Sequence, residues 1–115
     1  MELSVHYTPK MVANAQSYSP SAGKPADVMA SWTQLGLPLA IKEPSPVSAD
    51  QLCLAHDRAF VEGVLRGHIT NGFGNKLPAV AASLPYTSGA MLSAAREALT
   101  NRSGVTITLR RNSCW

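Results

Sequence analysis

The sequence is poor in the residues that several functional classes require. It has two cysteines and three histidines in 115 residues, too few for a disulfide framework and sparse for a metal site. Charged residues make up 15% of the chain, against a typical quarter, so we expect part of the surface to pack against another chain. No apolar run approaches the ~20 residues that cross a bilayer, and the N-terminus lacks the pattern of a secretory signal. We therefore predict a cytoplasmic protein without a membrane segment.

Positive charge gives little support for nucleic-acid binding. The net charge is +3, and the Lys and Arg residues are scattered rather than arranged in a stripe. Arg102, Arg110, Arg111 and Trp115 could contact a nucleic-acid backbone and a base. A solvated tail explains the same residues more simply, so no nucleic-acid partner is predicted.

The candidate catalytic and metal-binding residues do not form a recognisable set. The three histidines, His6, His56 and His68, fall on a predicted strand, a helix and a loop. No two of them are three or four residues apart, the spacing that places two zinc ligands on one side of a helix. Ser88 lies in T-S-G-A rather than in a nucleophile elbow. We predict no catalytic residue, no metal site and no cofactor.

The segment from Ser48 to Gly67 predicts the central helix. Ser48 and Gln51 have the spacing of a capping box, and Gly67 is suited to a left-handed helix end. A helical wheel gathers six side chains into an apolar arc: Cys53, Leu54, Phe60, Val61, Val64 and Leu65. His56 and Asp57 interrupt this arc, and we interpret them as a structural polar pair that ties the helix to its neighbours.

The remaining pattern predicts an α/β fold. Strands are predicted at 3–7, 37–41 and 105–109, helices at 24–35 and 85–99, a helical turn at 78–83, and a loop at 10–23. Strands that alternate with helices form parallel sheets with right-handed crossovers. We predict a small three-stranded parallel sheet of order 2-1-3 with helices on both faces. Residues 1–115 would form a single domain whose last residues, 110–115, are a divergent tail.

Four blocks of sequence resemble the N-terminal part of bacterial histone-deacetylase-like proteins. They are S-Y-S-P-S-A-G-K-P-A from Ser17, A-H-D-R-A-F-V-E-G-V-L from Ala55, N-G-F-G-N from Asn71, and S-L-P-Y-T-S-G-A-M-L-S-A-A-R-E-A-L from Ser83. These proteins are zinc-dependent amidohydrolases of the arginase–deacetylase fold. The resemblance runs from about the first strand to Gly104 and implies that the chain is a fragment of that fold.

The resemblance ends before the family's chemistry begins. In the family, a segment with two adjacent histidines follows the third strand, and the zinc-binding Asp, His and Asp and a catalytic Tyr come later. Here the third strand runs into R-R-N-S-C-W, so none of these residues has a counterpart. The resemblance does transfer part of a ligand rim, at Tyr18, Phe73 and Asn75. A tight turn between helices is the simpler interpretation of the N-G-F-G-N block.

Three functional hypotheses follow from this comparison. The first is a non-catalytic module that forms a homodimer or higher closed oligomer. Its interface would include Val105, Ile107, Leu109 and Trp115, because the order 2-1-3 leaves the third strand at an edge. The second is an interaction subunit that pairs with a deacetylase-family protein or with its missing catalytic half. The third is a hydrolase with a repurposed pocket.

Overall fold

The computed structural model describes residues 2–101 and 106–108. The strands are β1 (Leu3–His6), β2 (Leu39–Lys42) and β3 (Ile107–Thr108). The helices are α1 (Lys24–Gln34), α2 (Ala49–Leu52), α3 (Arg58–Leu65) and α4 (Pro78–Thr100). Two short 3₁₀ turns are also present: Pro9–Met11 overlaps the start of the predicted loop 10–23, and Pro20–Ala22 lies within it. Each begins with a proline behind a Thr or Ser whose side chain accepts a backbone N–H, which is typical of helical starts.

The strands form one parallel sheet of order β2-β1-β3, as predicted. Val5 at the centre of the sheet is in register with Ile41 on one side and with Ile107 on the other. Of the predicted third strand, Ile107 and Thr108 lie in β3, whereas Val105 and Leu109 fall outside the described residues.

Side chains alternate between the two faces of the sheet. Ser4 and His6 on β1 face α4, because both contact Glu97 of that helix. Thr106 also reaches α4, where its Oγ1 donates to the Ala94 carbonyl at 2.7 Å. Val5 points to the opposite face and is fully buried, so both faces of the sheet are covered.

The predicted central helix is wrong as a continuous element. Its start at Ser48 with the capping box and its end at Gly67 are confirmed, but the chain leaves the helix between Leu52 and Arg58. Asp57 is the reason, because its backbone is extended and its side chain accepts the Phe60 N–H at 3.1 Å, so it starts a new helix. Leu54 falls in the resulting turn and is 89% exposed, not buried in the apolar arc.

The third predicted helix starts seven residues earlier than the sequence indicated. The helical turn at 78–83 and the helix from Pro85 form one element, α4, with Pro85 inside it. Pro78 occupies the first turn, where a missing N–H has no cost. Small residues of α4 face the sheet, among them Ala90 and Ala94, which are buried. The longer side chains Met91 and Leu99 lie on the outer side.

The continuous short apolar run at 37–41 favours a fully buried second strand, and this expectation is wrong. Leu39 and Ala40 are half-buried, while Ile41 is 54% exposed. The cause is topological: β2 lies at one edge of the sheet and pairs with β1 alone among the described residues.

Candidate functional site

Three polar side chains from the sheet surround the carboxylate of Glu97. Ser4 Oγ donates to Glu97 Oε2 at 2.6 Å, and His6 Nε2 lies 2.6 Å from the same oxygen. Lys42 Nζ forms an ion pair with Oε1. The carboxylate therefore joins β1, β2 and α4.

The local sequence explains how these residues meet. Ser4 and His6 are two residues apart on β1 and share one face. Lys42 is the register partner of His6 on β2. Glu97 lies three residues beyond the buried Ala94, on the side of α4 that faces the sheet.

Three hydrogen-bond donors hold Glu97 in its ionised form. The bond from Lys42, and then those from Ser4 and His6, lower the pKa of Glu97 from its ordinary 4.5 to about 2, against a smaller opposing effect of desolvation. A general base works best when its pKa lies near the operating pH. Glu97 is therefore a weak proton acceptor at neutral pH and a strong structural anchor.

The Ser, His and Glu of this cluster do not form a nucleophile relay. In such a relay the serine donates to the histidine, and the histidine donates to the carboxylate. Here Ser4 Oγ donates its hydrogen bond to Glu97 Oε2 and not to His6. His6 Nε2 contacts the same carboxylate oxygen. His6 is also buried, and this arrangement favours a structural role for all three side chains.

The carboxyl ends of β1 and β2 are where an α/β sheet most often binds ligands. Thr8 is buried there; its Oγ1 donates to Glu43 Oε1 at 3.2 Å and accepts the Lys10 N–H at 3.3 Å. The ammonium group of Lys10 lies 5.5 Å from the centre of the Tyr86 ring. Burial also raises the pKa of the Tyr7 phenol beside this edge. Contacts thus connect Thr8 with Glu43 and Lys10, and Lys10 with Tyr86, at this edge of the sheet.

The residues predicted to form a ligand rim lie on two loops. Tyr18 is fully exposed in the loop after β1. That loop and the start of α1 border an open cleft of about 370 Å³, whose lining residues include Asn14, Ser17 and Asp27. Its backbone has a left-handed residue, Gln16, with φ of 49°.

Phe73 and Asn75 come together against this same segment. Asn75 Nδ2 donates to the Ala15 carbonyl at 2.7 Å, while its Oδ1 accepts from the Asn71 side chain at 3.0 Å. Phe73 packs against a buried cluster that contains Ala15 and Val80. Both side chains thus hold the loop after β1 in place. Within the block, the Gly74 N–H donates to the Asn71 carbonyl at 2.9 Å, which agrees with the tight-turn interpretation of the N-G-F-G-N block. The rim itself stays a prediction.

The other predicted residues have separate locations. Asp57 caps α3, and both it and His56 are exposed. Asp57 therefore acts on its own helix. Of the predicted interface residues, Ile107 is half-buried in β3, whereas Val105, Leu109 and Trp115 lie outside the described residues.

Sequence reasoning missed the Glu97 cluster. The one available signal was the alternation of Ser4 and His6 on a short strand, which places two polar side chains on one face. No local pattern connects them with a glutamate more than 90 residues away.

The part of the chain that the structure describes contains neither a candidate metal site nor a membrane-spanning helix. Residues 2–101 and 106–108 contain no group of three or more His, Cys, Asp or Glu placed to hold a metal ion. None of the helices described is long and apolar enough to cross a membrane.

Comparison with known proteins leaves the family resemblance as a prediction. No family model matches the sequence, and no curated protein matches it either.

Proposed function

We propose that this chain is a non-catalytic α/β module that associates with copies of itself. The surface involved, here called the β3–α4 flank, consists of Ile107 and Thr108 together with Met91, Ala95 and Leu99 on the outer side of α4. The observation that carries the proposal is the exposure of this helix side: Met91 is 45% and Leu99 86% exposed.

We also place the protein in the cytoplasm, since Cys53 is a free thiol and such thiols persist in reducing compartments.

The three helix residues form a stripe. Their spacing of four residues places them on one side of α4. Burying a leucine side chain contributes about 1.5–3 kcal/mol, and a two-fold axis would apply each contribution twice. Ala95, small and central in the stripe, allows two helices to approach closely.

We propose that the neighbouring strand extends this surface, since Thr106, directly before β3, donates to the carbonyl of Ala94, next to Ala95. Within residues 2–101 and 106–108, β3 pairs with β1 alone. The outer N–H and C=O groups of an edge strand favour pairing with another chain. A stable interface generally buries at least about 1,000 Å², so the stripe needs such an extension. Val105, Leu109 and Trp115 are the further residues that we assign to it.

The non-catalytic part of the proposal is supported by the Glu97 cluster. A carboxylate with a pKa of about 2 remains ionised at neutral pH, and Ser4 donates to it directly. The best-placed polar groups on the sheet thus stabilise the fold.

The purified protein should neither bind zinc at one equivalent nor deacetylate an acetyl-lysine peptide. Tight zinc binding with turnover would contradict this part of the proposal.

Two matched leucines test self-association. Leu99 on the flank and Leu54 in the α2–α3 turn are 86% and 89% exposed, respectively, so replacing either with aspartate should leave the monomer folded. We expect the wild type to be a dimer or higher oligomer by light scattering at tens of micromolar. Leu99→Asp should shift it to monomer, and Leu54→Asp should not. A monomeric wild type, or equal effects of the two substitutions, would contradict the proposal.

The direction of the strands favours a second candidate, an interaction subunit for a deacetylase-family protein. β3 runs parallel to β1, and a further parallel strand cannot come from β3 of a two-fold related copy, since that strand would be antiparallel. A parallel strand next to β3 must therefore come from a surface other than β3 of a second copy, such as the sheet edge of a partner protein. If the purified chain is monomeric but forms a one-to-one complex with a deacetylase, this candidate replaces self-association.

A further inference from the structure

A small cavity lies where the end of α3 meets the start of α4. Its volume is about 240 Å³, below the roughly 300–1,000 Å³ of pockets for drug-sized ligands. Leu65 contributes one wall from α3. The other wall is a stripe of α4, formed by Pro78, Ala81, Ala82 and Pro85.

The size of these side chains explains why a hollow is present. The four α4 positions follow the i, i+3, i+4, i+7 spacing of one helix side. On most helices such a stripe carries large apolar residues that fill the space against a neighbour. Here it carries two alanines and two prolines, so the side chains reach only a short distance from the helix.

Two cations stand beside this apolar hollow. Arg66 and Lys76 both line the cavity, and its lining contains no acidic residue. In the described part of the chain, no carboxylate oxygen lies within 4 Å of either cation. Arg58, the first residue of α3, is different because it contacts both Asp50 and Glu62.

The backbone on which the two cations stand is fixed. Arg66 caps α3, and the chain then turns through Gly67 with φ of 77°, while the His68 N–H donates to the Gly63 carbonyl at 2.7 Å. Lys76 follows Asn75, whose Oδ1 accepts the Leu77 N–H at 3.1 Å. Both cations are therefore presented from ordered turns.

We propose that this cavity binds a small anion with a short apolar chain. The chain would lie against Leu65 and the alanines of α4, and the anionic head would lie between Arg66 and Lys76. Arg66 and Lys76 are both exposed, so each adds a modest attraction for an anionic head that a neutral ligand does not receive; charge complementarity therefore favours the anion. A carboxylate and a phosphate monoester share this chemistry.

An NMR titration of the full chain with sodium hexanoate tests the proposal. At constant ionic strength, we expect saturable shifts of the Arg66, Gly67, Lys76 and Ala82 amides, with a dissociation constant on the order of 1 mM for a ligand this small. Hexanamide, the neutral counterpart, should cause clearly smaller shifts at these amides at the same concentration. Butyl phosphate in a parallel titration separates the two head groups, because the one that saturates at lower concentration identifies the preferred anion.

Variants then separate the charge from the hollow. Arg66→Gln and Lys76→Gln should each weaken hexanoate binding roughly two- to fivefold, as expected for exposed ion pairs. Ala82→Leu fills the hollow at an exposed helix position and should abolish binding with both cations intact. Arg96→Gln, an exposed cation elsewhere on α4, should have no effect. Equal shifts with hexanamide, or unchanged binding by the Arg66→Gln, Lys76→Gln double variant, would overturn the proposal.

Discussion

Gly89 lies where the chain between β2 and α2 crosses α4. A Cβ atom at this position would lie 2.0 Å from the Ser45 carbonyl oxygen. The crossing is fixed by a hydrogen bond from the Val47 N–H to the Pro85 carbonyl at 3.1 Å. Because the obstacle is backbone, it cannot rotate away, and only glycine fits.

Gly89→Ala should therefore destabilise the protein even though alanine is the better helix former. Replacing a helical glycine gains about 1 kcal/mol of intrinsic propensity, whereas overpacking a close contact costs about 1–3 kcal/mol. A clash with backbone lies at the upper end of that cost, so we expect a net loss of about 1–2 kcal/mol. Urea denaturation of both proteins measures it.

Gly63→Ala is the control for this substitution. Gly63 is also buried in a helix, but its added Cβ would meet the Cδ1 atom of Ile69 at 2.4 Å. The next nearest atom, Ile69 Cγ1 at 2.7 Å, belongs to the same partly exposed side chain, which can rotate away as a backbone carbonyl cannot. We expect Gly63→Ala to lie within about 1 kcal/mol of the wild type. If the two substitutions cost the same, the crossing at Ser45 is looser than described.

At the scale of elements, the contact between α3 and α4 forms part of the core. Val64 and Leu84 are buried together, and the half-buried Phe60 packs on them. Leu84 is 0% exposed, although it lies next to a proline within α4. The loss of one helical hydrogen bond at Pro85 is thus accompanied by close packing one residue earlier.

Leu84→Ala tests this packing against an exposed leucine. Removing a fully buried leucine typically costs about 2–5 kcal/mol. Leu54→Ala removes the same atoms from a site that is 89% exposed and should cost under about 0.5 kcal/mol. Thermal or urea unfolding of the two variants provides the comparison. A large effect of Leu54→Ala would indicate that Leu54 is buried, as the helical wheel predicted for a continuous helix.

The elements also show which parts of the fold local sequence can predict. Gly36 directly follows the predicted helix 24–35, and Gly67 was predicted to end the central helix; both glycines have the left-handed backbone that such ends require. Asp57 was misinterpreted because a helical wheel treats it as a polar residue inside an arc. Its side chain can instead accept a backbone N–H, and this start signal competes with the continuing helix.

Long-range placement was harder to predict than element type. The strand order follows from the alternation of strands and helices, and it is confirmed. The orientation of α4 was not available from its own pattern, because both Ala90 and Leu99 suit a buried site by composition. The sheet selects the small residues, since they allow the helix to approach closely, and Leu99 is left outside. The Glu97 cluster depends on that same orientation.

At the scale of the whole molecule, Glu97 connects segments that are distant in sequence. Its carboxylate contacts β1 through Ser4 and His6 and β2 through Lys42. Two strands and the longest helix thus meet at one ionised group. The stability of the molecule should depend on the charge of this group.

Acid should weaken the fold through Glu97. The pKa of Glu97 is about 2 in the folded protein against an ordinary value of 4.5, so the unfolded chain binds more protons between these two values. Stability from this group is fully present above about pH 4.5, and it is lost as the pH falls toward 2. We expect the melting temperature of the wild type to fall steeply across this range.

Two substitutions identify the group responsible for this dependence. Glu97→Gln removes the ionised carboxylate, so the variant should be less stable than the wild type at pH 6 and should lose less stability between pH 4.5 and pH 2. Glu2→Gln removes an exposed carboxyl outside the cluster and should keep the wild-type profile, because the remaining carboxyls still titrate as before. Scanning calorimetry at half-unit pH steps measures all three proteins. Parallel profiles for the wild type and Glu97→Gln would mean that Glu97 does not anchor the sheet to α4.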